Sequence, residues 1–528
     1  MKRRKFLSAL SAATVVPAVI DGFSLKTFAS SPLLKALAAA TDNDHVLVLI
    51  QLNGGNDGLN TVIPLDQYTQ LSAARSNILI PSAQVLSLNG HPETGLHPSM
   101  TGLQQLYNNG KVNIVQGVSY PSPNFSHFRA TDIWLTASDS NQTLTTGWAG
   151  RYLDYEYPNY PVGYPNSIMP DPLAIEIGST VSLGLQGPGA SMGMSITDPT
   201  NFYNLINGIQ DPAPATFYGD ELTYIRQVSQ QSQAYTTVIT AAANNVSSQS
   251  PAYPAAGTNS LADQLKIVAR LVAGGLKTKI YMVSLGGFDT HSNQADFGSP
   301  TTGSHADLLS RLSVAIAAFQ DDLNYLGVSN RVVGMTFSEF GRRIISNGSI
   351  GTDHGAGAPM ILFGDAVQNG ILGTNPVIPG NADVNANVAM QYDFRSVYSS
   401  VLNEWFCVPQ ADLNQIMLQN FQLLPLIQTT ACDVSVHDLN QKAGEALVWN
   451  YPNPFTQSTY ITFKSAGGHV LLQVFNTEGK LVKTLADGQY PAGTYEVWYE
   501  NEGHPAGTYY LRLQNEALQQ VKNMIVVR

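Results

Sequence analysis

Acidic, histidine and arginine residues gather in a few short stretches of this chain, each directly behind an apolar run. Asp57 closes Asn53-Gly54-Gly55-Asn56-Asp57. Asp289 and His291 stand two apart in Gly286-Gly287-Phe288-Asp289-Thr290-His291. Glu339 and Arg342 lie in Ser338-Glu339-Phe340-Gly341-Arg342-Arg343, and Asp353 and His354 are adjacent between Gly351 and Gly355. Asp and His together suit zinc or manganese, whereas carboxylates alone suit magnesium or calcium. Asp353 and His354 are expected to reach one ion only from a bent loop, which the nearby glycines permit. Asp289 and His291 can share one face of an extended loop. Each pair alone also fits an ordinary hydrogen-bonded turn. Delivered together to one rim, they point to a divalent metal, with zinc, manganese or calcium as candidates.

The elements that must carry these groups follow from hydrophobic periodicity. Residues 45–52 (HVLVLIQL) form a continuous apolar run, as in a strand buried on both faces. Residues 112–118, 279–285 and 331–337 read the same way, and 359–363 is a further candidate. Residues 261–276 and 307–326 have apolar positions at helical spacing. Strands alternating with helices predict an α/β fold with a doubly wound, mainly parallel sheet. Ligands of such sheets bind beyond the carboxyl ends of the strands, where Asp57, Asp289, His291 and Glu339 fall. Residues 227–259, rich in Ser, Gln, Asn and Ala, read as a partly helical excursion.

Composition narrows the function classes. At 528 residues the chain needs more than one domain. A net charge of -11 argues against a nucleic-acid partner, which would need a basic stripe. The loop after residue 52 lacks the glycine spacing of a dinucleotide fingerprint. The two cysteines, Cys407 and Cys432, make no disulfide framework. They fit either a single bridge or two buried thiols.

Both ends read as export signals. Lys2-Arg3-Arg4-Lys5-Phe6-Leu7 precedes a short apolar run to Ile20, the pattern of an export leader. The paired arginines resemble a twin-arginine motif, with an ordinary leader or an uncleaved anchor as the alternative. From about residue 446 the pattern changes to short alternating runs split by Gly, Pro and Asn, as in a small all-β sandwich. Pro491-Ala492-Gly493-Thr494-Tyr495 recurs as Pro505-Ala506-Gly507-Thr508-Tyr509. With Tyr451-Pro452-Asn453-Pro454-Phe455 and the basic-apolar end at 522–528, this module resembles the type A sorting domain of the type IX secretion system. That resemblance implies passage across the outer membrane to the cell surface or beyond.

The middle of the chain resembles a family of exported bacterial proteins of unknown function placed near sulfatases in the alkaline phosphatase superfamily. The matching stretches include Leu52–Asn60, Leu96-His97-Pro98, Ser126-His127-Phe128, Thr146–Arg151, Gly286–His291, Ser338–Arg343, Gly351–Gly355 and Asp393-Phe394-Arg395. The resemblance implies metal ligation by Asp57, by Asp289 with His291, and by Asp353 with His354. It implies Ser126 as nucleophile at a helix start. Arg129, Arg342, Arg343 and Arg395 are candidates to grip an anionic ester group by bidentate bonds, with a structural ion pair as the alternative role of each. Two departures stand out. Between His354 and His437 there is no histidine to complete a second metal site, so His127 or His97 would have to substitute. Ser126 also lacks the Cys-x-Pro-x-Arg context of sulfatases, and a helix cap is its alternative role.

The reading is a twin-arginine signal peptide at 1–40, a sulfatase/alkaline phosphatase-like domain at 41–430, a linker at 431–445 and an immunoglobulin-like sorting sandwich at 446–528. The expected function is a metal-dependent hydrolase of sulfate or phosphate esters. Its expected partners are the twin-arginine translocase, the type IX secretion machinery and an anionic ester substrate. The alternative is a non-catalytic cell-surface binding or structural protein on a degenerate hydrolase scaffold.

Overall fold

The computed structural model describes residues 19–20, 23–24, 43–167, 169–197, 235–428 and, with short breaks, 448–527. The twin-arginine stretch, Cys432 and the linker expected at 431–445 lie outside the described residues. The chain divides into two compact units, Asp44–Cys432 on one side, and Met1–Asn43 with Asp433–Arg528 on the other.

The larger unit is built on a nine-stranded sheet. Its strands are β1 (Val46–Asn53), β2 (Val112–Ser119), β3 (Ala174–Ile177), β4 (Gly193–Ile196), β5 (Ile280–Gly286), β6 (Val332–Phe337), β7 (Ala358–Phe363), β8 (Gly370–Leu372) and β9 (Tyr392–Asp393). They lie in the order β8-β2-β7-β6-β1-β5-β3-β4, with β9 also paired to β2. All run parallel except β7, which is antiparallel to both β6 and β2. Only a short hairpin, Gly341–Ser346 with Thr352–Gly355, separates β6 from β7. That connection folds back on itself and holds no helix to carry the chain across the sheet, the usual route to a parallel neighbour, so β7 enters antiparallel. The same hairpin turns the bend expected around Asp353 and His354 into strand.

β1 shows why the sheet is buried on both faces. Val46, Val48 and Ile50 join one core with Leu265 of α2 (Ser260–Ala273) and Leu309, Leu312 and Ile316 of α3 (Ser304–Tyr325). Leu47 and Leu49 join the other core with Trp134 and with Phe394, Val397 and Tyr398. Successive strand residues point to opposite faces, so one apolar run feeds two cores. Fully burying each such side chain contributes about 1.5–3 kcal/mol. Helix α2 is capped by Asn259, whose side chain accepts from the Ala262 N–H. Within the expected excursion, residues 235–245 are helical.

The C-terminal unit is all-β. Val448–Tyr451, Ser458–Ser465 and Gly493–Glu500 form one antiparallel sheet. Leu481–Tyr490, Gly468–Phe475, Gly507–Asn515 and Gln519–Val526 form a second. Ile461 and Phe463 from the first share a core with Leu472, Leu511 and Met524 from the second. The sequence repeat becomes a structural one. Tyr495 donates its hydroxyl to the Pro491 carbonyl at 3.0 Å, and Tyr509 donates to Pro505 at 2.8 Å. No helix among the described residues is long and apolar enough to cross a membrane.

Candidate metal centre

The carboxyl ends of β1, β5 and β6 meet at one edge of the sheet. Behind β1, Gly54 adopts φ +123°, and a Cβ there would stand 2.2 Å from the Asp289 amide nitrogen. Only glycine lets the turn after β1 press this closely on the loop after β5. Arg342, with no exposed side-chain surface, laces these loops together. Its guanidinium donates to the carbonyls of Gly55 (2.7 Å), Thr352 (2.8 Å), Phe288 (3.0 Å) and Gly54, and to Asp289 Oδ1 at 2.7 Å. With its donors committed this way, Arg342 holds the rim and orients Asp289.

Three imidazoles converge around the Asp289 carboxylate. His354 Nε2 lies 3.2 Å from Asp289 Oδ1, His291 Nε2 3.3 Å from the same oxygen, and His127 Nε2 3.5 Å from Oδ2. His291 Nε2 and His354 Nε2 stand 2.9 Å apart. Ligand atoms of His127, Asp289 and His354 lie within 4.8 Å of one another, as a single ion would require. Each imidazole commits its other nitrogen elsewhere. His127 Nδ1 is 2.9 Å from Glu339 Oε1, His291 Nδ1 is 3.1 Å from Asp353 Oδ1, and His354 Nδ1 is 2.8 Å from the Phe125 carbonyl. Carbonyl and carboxylate oxygens accept only, and in each ring the Nδ1 contact is shorter than the Nε2 contact to Asp289, so the neutral imidazoles carry their hydrogens on Nδ1 and turn the Nε2 lone pairs inward. This is the arrangement of metal-ligating histidines backed by acceptors.

Electrostatics agree with that assignment. Burial pushes the Asp289 carboxyl up, but the hydrogen bond and positive charge of Arg342 outweigh it and bring it to about 2. Burial holds the His354 imidazole below its ordinary range. Burial also raises Asp353, yet hydrogen bonds from Asn347 and His291 leave it lowered. The centre therefore presents ionised carboxylates and an imidazole biased toward its neutral, ligating form at neutral pH.

The other expected site residues have different surroundings. Asp57 is buried at 1% exposure, and both its oxygens accept from Arg75 Nη1, at 3.0 and 2.8 Å. Gln294 Nε2 adds a third bond at 2.6 Å. Its acceptor capacity is thus spent on a buried ion pair. Asp353, adjacent to His354 in one strand, faces the opposite way and supports His291 instead of pointing at the shared space. Ser126 is exposed and is the N-cap of α1 (His127–Thr136), without a side-chain capping bond. It immediately precedes His127 of the centre. Arg129 donates to the carbonyls of Asp139, Ser140 and Gln142, so it braces a loop. Arg343 binds the His354 carbonyl at 3.0 Å. Arg395 pairs with Asp393 and Asp139 at the start of α4 (Phe394–Glu404). His97 is buried edge-on against His305, ring centroids 6.3 Å apart. Arg75, Gln294 and His305 have no sequence signal that would have found them, because their roles arise from contacts across distant segments.

Fold and site together define a two-unit protein, an α/β unit with a histidine–carboxylate centre and a β-sandwich. Residues 209–416 match the family described as "Protein of unknown function (DUF1501)". Residues 450–527 match the family described as "Secretion system C-terminal sorting domain". Each match covers part of the chain, and the sorting-domain match implies engagement with the type IX secretion system and export to the cell surface or extracellular space. The first match spans Asp289, His291, Arg342, Asp353 and His354 and begins after His127. None of the curated proteins matches.

Among solved structures, one similar chain is PorZ, an essential bacterial surface component of the type IX secretion system of Porphyromonas gingivalis. It is 19% identical, with a TM-score of 0.13, over 20% of this chain and only 14% of that one. The PsFucS1 sulfatase from Pseudoalteromonas sp. is 10% identical, with a TM-score of 0.31, over 88% of this chain and 86% of that one. The phosphonate monoester hydrolase SpPMH from Silicibacter pomeroyi is 10% identical, with a TM-score of 0.28, over 90% and 88%. Likenesses of this extent carry no activity across to this chain.

Proposed function

We propose that the larger unit binds one divalent cation and hydrolyses sulfate or phosphate esters outside the cell. The observation that carries this reading is the 2.9 Å contact between His291 Nε2 and His354 Nε2 beside Asp289. With both Nδ1 hydrogens committed outward, two lone pairs face each other, an arrangement that a shared proton or a cation relieves. Three imidazole nitrogens and one carboxylate suit zinc or manganese, and they are poor company for calcium, which takes oxygen donors. The pairing of Asp57 with Arg75 favours one ion over two.

His127, Asp289, His291 and His354 would hold the cation, which supplies Lewis-acid polarisation of an ester oxygen when bound. Arg342 keeps Asp289 oriented and ionised. Ser126, exposed at the start of α1, would serve as the nucleophile. The positive end of that ten-residue helix favours an anionic group beside it. Export proceeds through the sorting module, and a twin-arginine entry route fits a cargo that folds around its metal before crossing.

The test is metal content of the full chain purified without chelators, compared with Asp289→Ala and His354→Ala. Near-stoichiometric zinc or manganese that falls in both variants supports the reading and justifies a sulfate and phosphate ester screen. A folded chain that stays empty after incubation with these ions overturns it.

A further inference from the structure

Of the three acceptors that back the centre's histidines, one differs in kind. The Phe125 carbonyl behind His354 is neutral, and Asp353 behind His291 is 54% exposed. Glu339, behind His127, is a carboxylate with only 3% exposure. Its Oε1 also accepts from the Gly54 N–H at 2.8 Å, and its Oε2 lies 3.3 Å from Ser338 Oγ. Ser338 Oγ itself donates to the Leu52 carbonyl at 2.7 Å and accepts from the Asn56 N–H at 3.0 Å. One buried side chain therefore ties the end of β1, the end of β6 and the first residue of α1.

We propose that Glu339 is a positioning residue of the centre, holding His127 in the Nδ1–H form and strengthening Nε2 as a donor toward a divalent cation. The proposal rests on the metal reading above. Two physical arguments carry it. A carboxylate accepts but cannot donate, so the 2.9 Å contact places the hydrogen on His127 Nδ1 and leaves Nε2 free to face Asp289. A charge shielded from water acts more strongly on its neighbour than one that water screens. The buried Glu339 should therefore matter more to cation affinity than the half-exposed Asp353. The contact spans 212 residues of sequence, which is why no local pattern announces it.

Two measurements test this on the full chain. First, nitrogen NMR of the imidazoles in chelated protein, with His127 assigned through His127→Gln, reports the tautomer without any metal. An Nδ1–H His127 is expected, and an Nε2–H His127 overturns the proposal. Second, calorimetric zinc titration compares wild type, Glu339→Gln and Asp353→Asn. Gln can still accept from both His127 and Gly54, so the chelated variant should unfold at the wild-type temperature. Its zinc affinity should fall about 10- to 100-fold, more than in Asp353→Asn. Equal affinity in Glu339→Gln and wild type, or a larger loss in Asp353→Asn, overturns the proposal. If Glu339→Gln fails to fold, the tautomer decides. If wild type binds no zinc, the metal reading fails, and the tautomer still tests the role of Glu339 separately.

Discussion

His291 and His354 face each other through their Nε2 atoms at 2.9 Å, while Asp353 and the Phe125 carbonyl engage the far nitrogens of the two rings. Without a proton or cation between them, this contact opposes folding. With a cation it becomes two ligand bonds. His291→Ala should accordingly leave thermal stability unchanged or slightly raised in chelator and remove the stabilisation by added zinc. In wild type that stabilisation is about 2.7 kcal/mol at a hundredfold excess over the dissociation constant. Thermal unfolding with and without zinc checks both halves.

The Asp57–Arg75 pair offers a test that separates structure from ligation. Arg75→Met leaves a buried carboxylate without its partner and should cost about 3–5 kcal/mol. Arg75 also donates to the carbonyls of Ile344 (3.1 Å) and Arg343 (2.7 Å), so the hairpin loosens with it. Asp57→Asn should lower stability and leave zinc stoichiometry intact. Denaturant unfolding and metal content are read on the same preparation, and loss of metal in a folded Asp57→Asn would return Asp57 to the centre.

Acid should destabilise the larger unit through two buried histidines. Burial lowers His305 to about 4 and His97 to about 3, from an ordinary value of 6.5. Between those values the unfolded chain binds protons that the folded chain refuses. The stabilisation is complete above 6.5 and drains away as pH falls toward 4, at up to about 1.4 kcal/mol per pH unit for each histidine. His305 donates to Asn56 Oδ1 at 3.0 Å, a bond a glutamine amide can mimic. His305→Gln should flatten the slope measured by urea unfolding from pH 7 to 5.

Gly54→Ala should be severe for its size. The residue sits at φ +123°, and the added carbon would meet the Asp289 amide at 2.2 Å. Such a substitution should cost more than about 1 kcal/mol and displace Asp289, so zinc affinity falls alongside stability. Wild-type zinc binding in a folded Gly54→Ala would show that the two loops can part without harm to the centre.

Removal of residues 446–528 should leave the larger unit folded, with an unchanged thermal midpoint, but held inside the outer membrane. The measurement is the partition of the truncated chain between periplasm and medium. Release at the wild-type level would deny the sorting role.

Much of this was legible in the chain. The apolar run at 45–52 announced a strand buried on both faces, and the repeat at Pro491–Tyr495 and Pro505–Tyr509 announced a sandwich of regular turns. The placing of Asp289, His291 and His354 behind strands was enough to point to a shared rim, because a doubly wound sheet brings its strand ends together. The division of labour at that rim was decided only by tertiary contacts. Asp57 carries the same signal as Asp289, yet Arg75 and Gln294 claim it, the latter from 237 residues away. Ser126 and His127 are neighbours, but it is the histidine whose ring reaches Asp289. Asp353 and His354 looked like joint ligands in a bend, and pairing with Gly341–Ser346 made them alternate faces of a strand. Residue type and local periodicity determine which groups can do chemistry and which edge receives them. Which of them reach the shared space depends on hydrogen bonds between distant segments, and no local pattern encodes those.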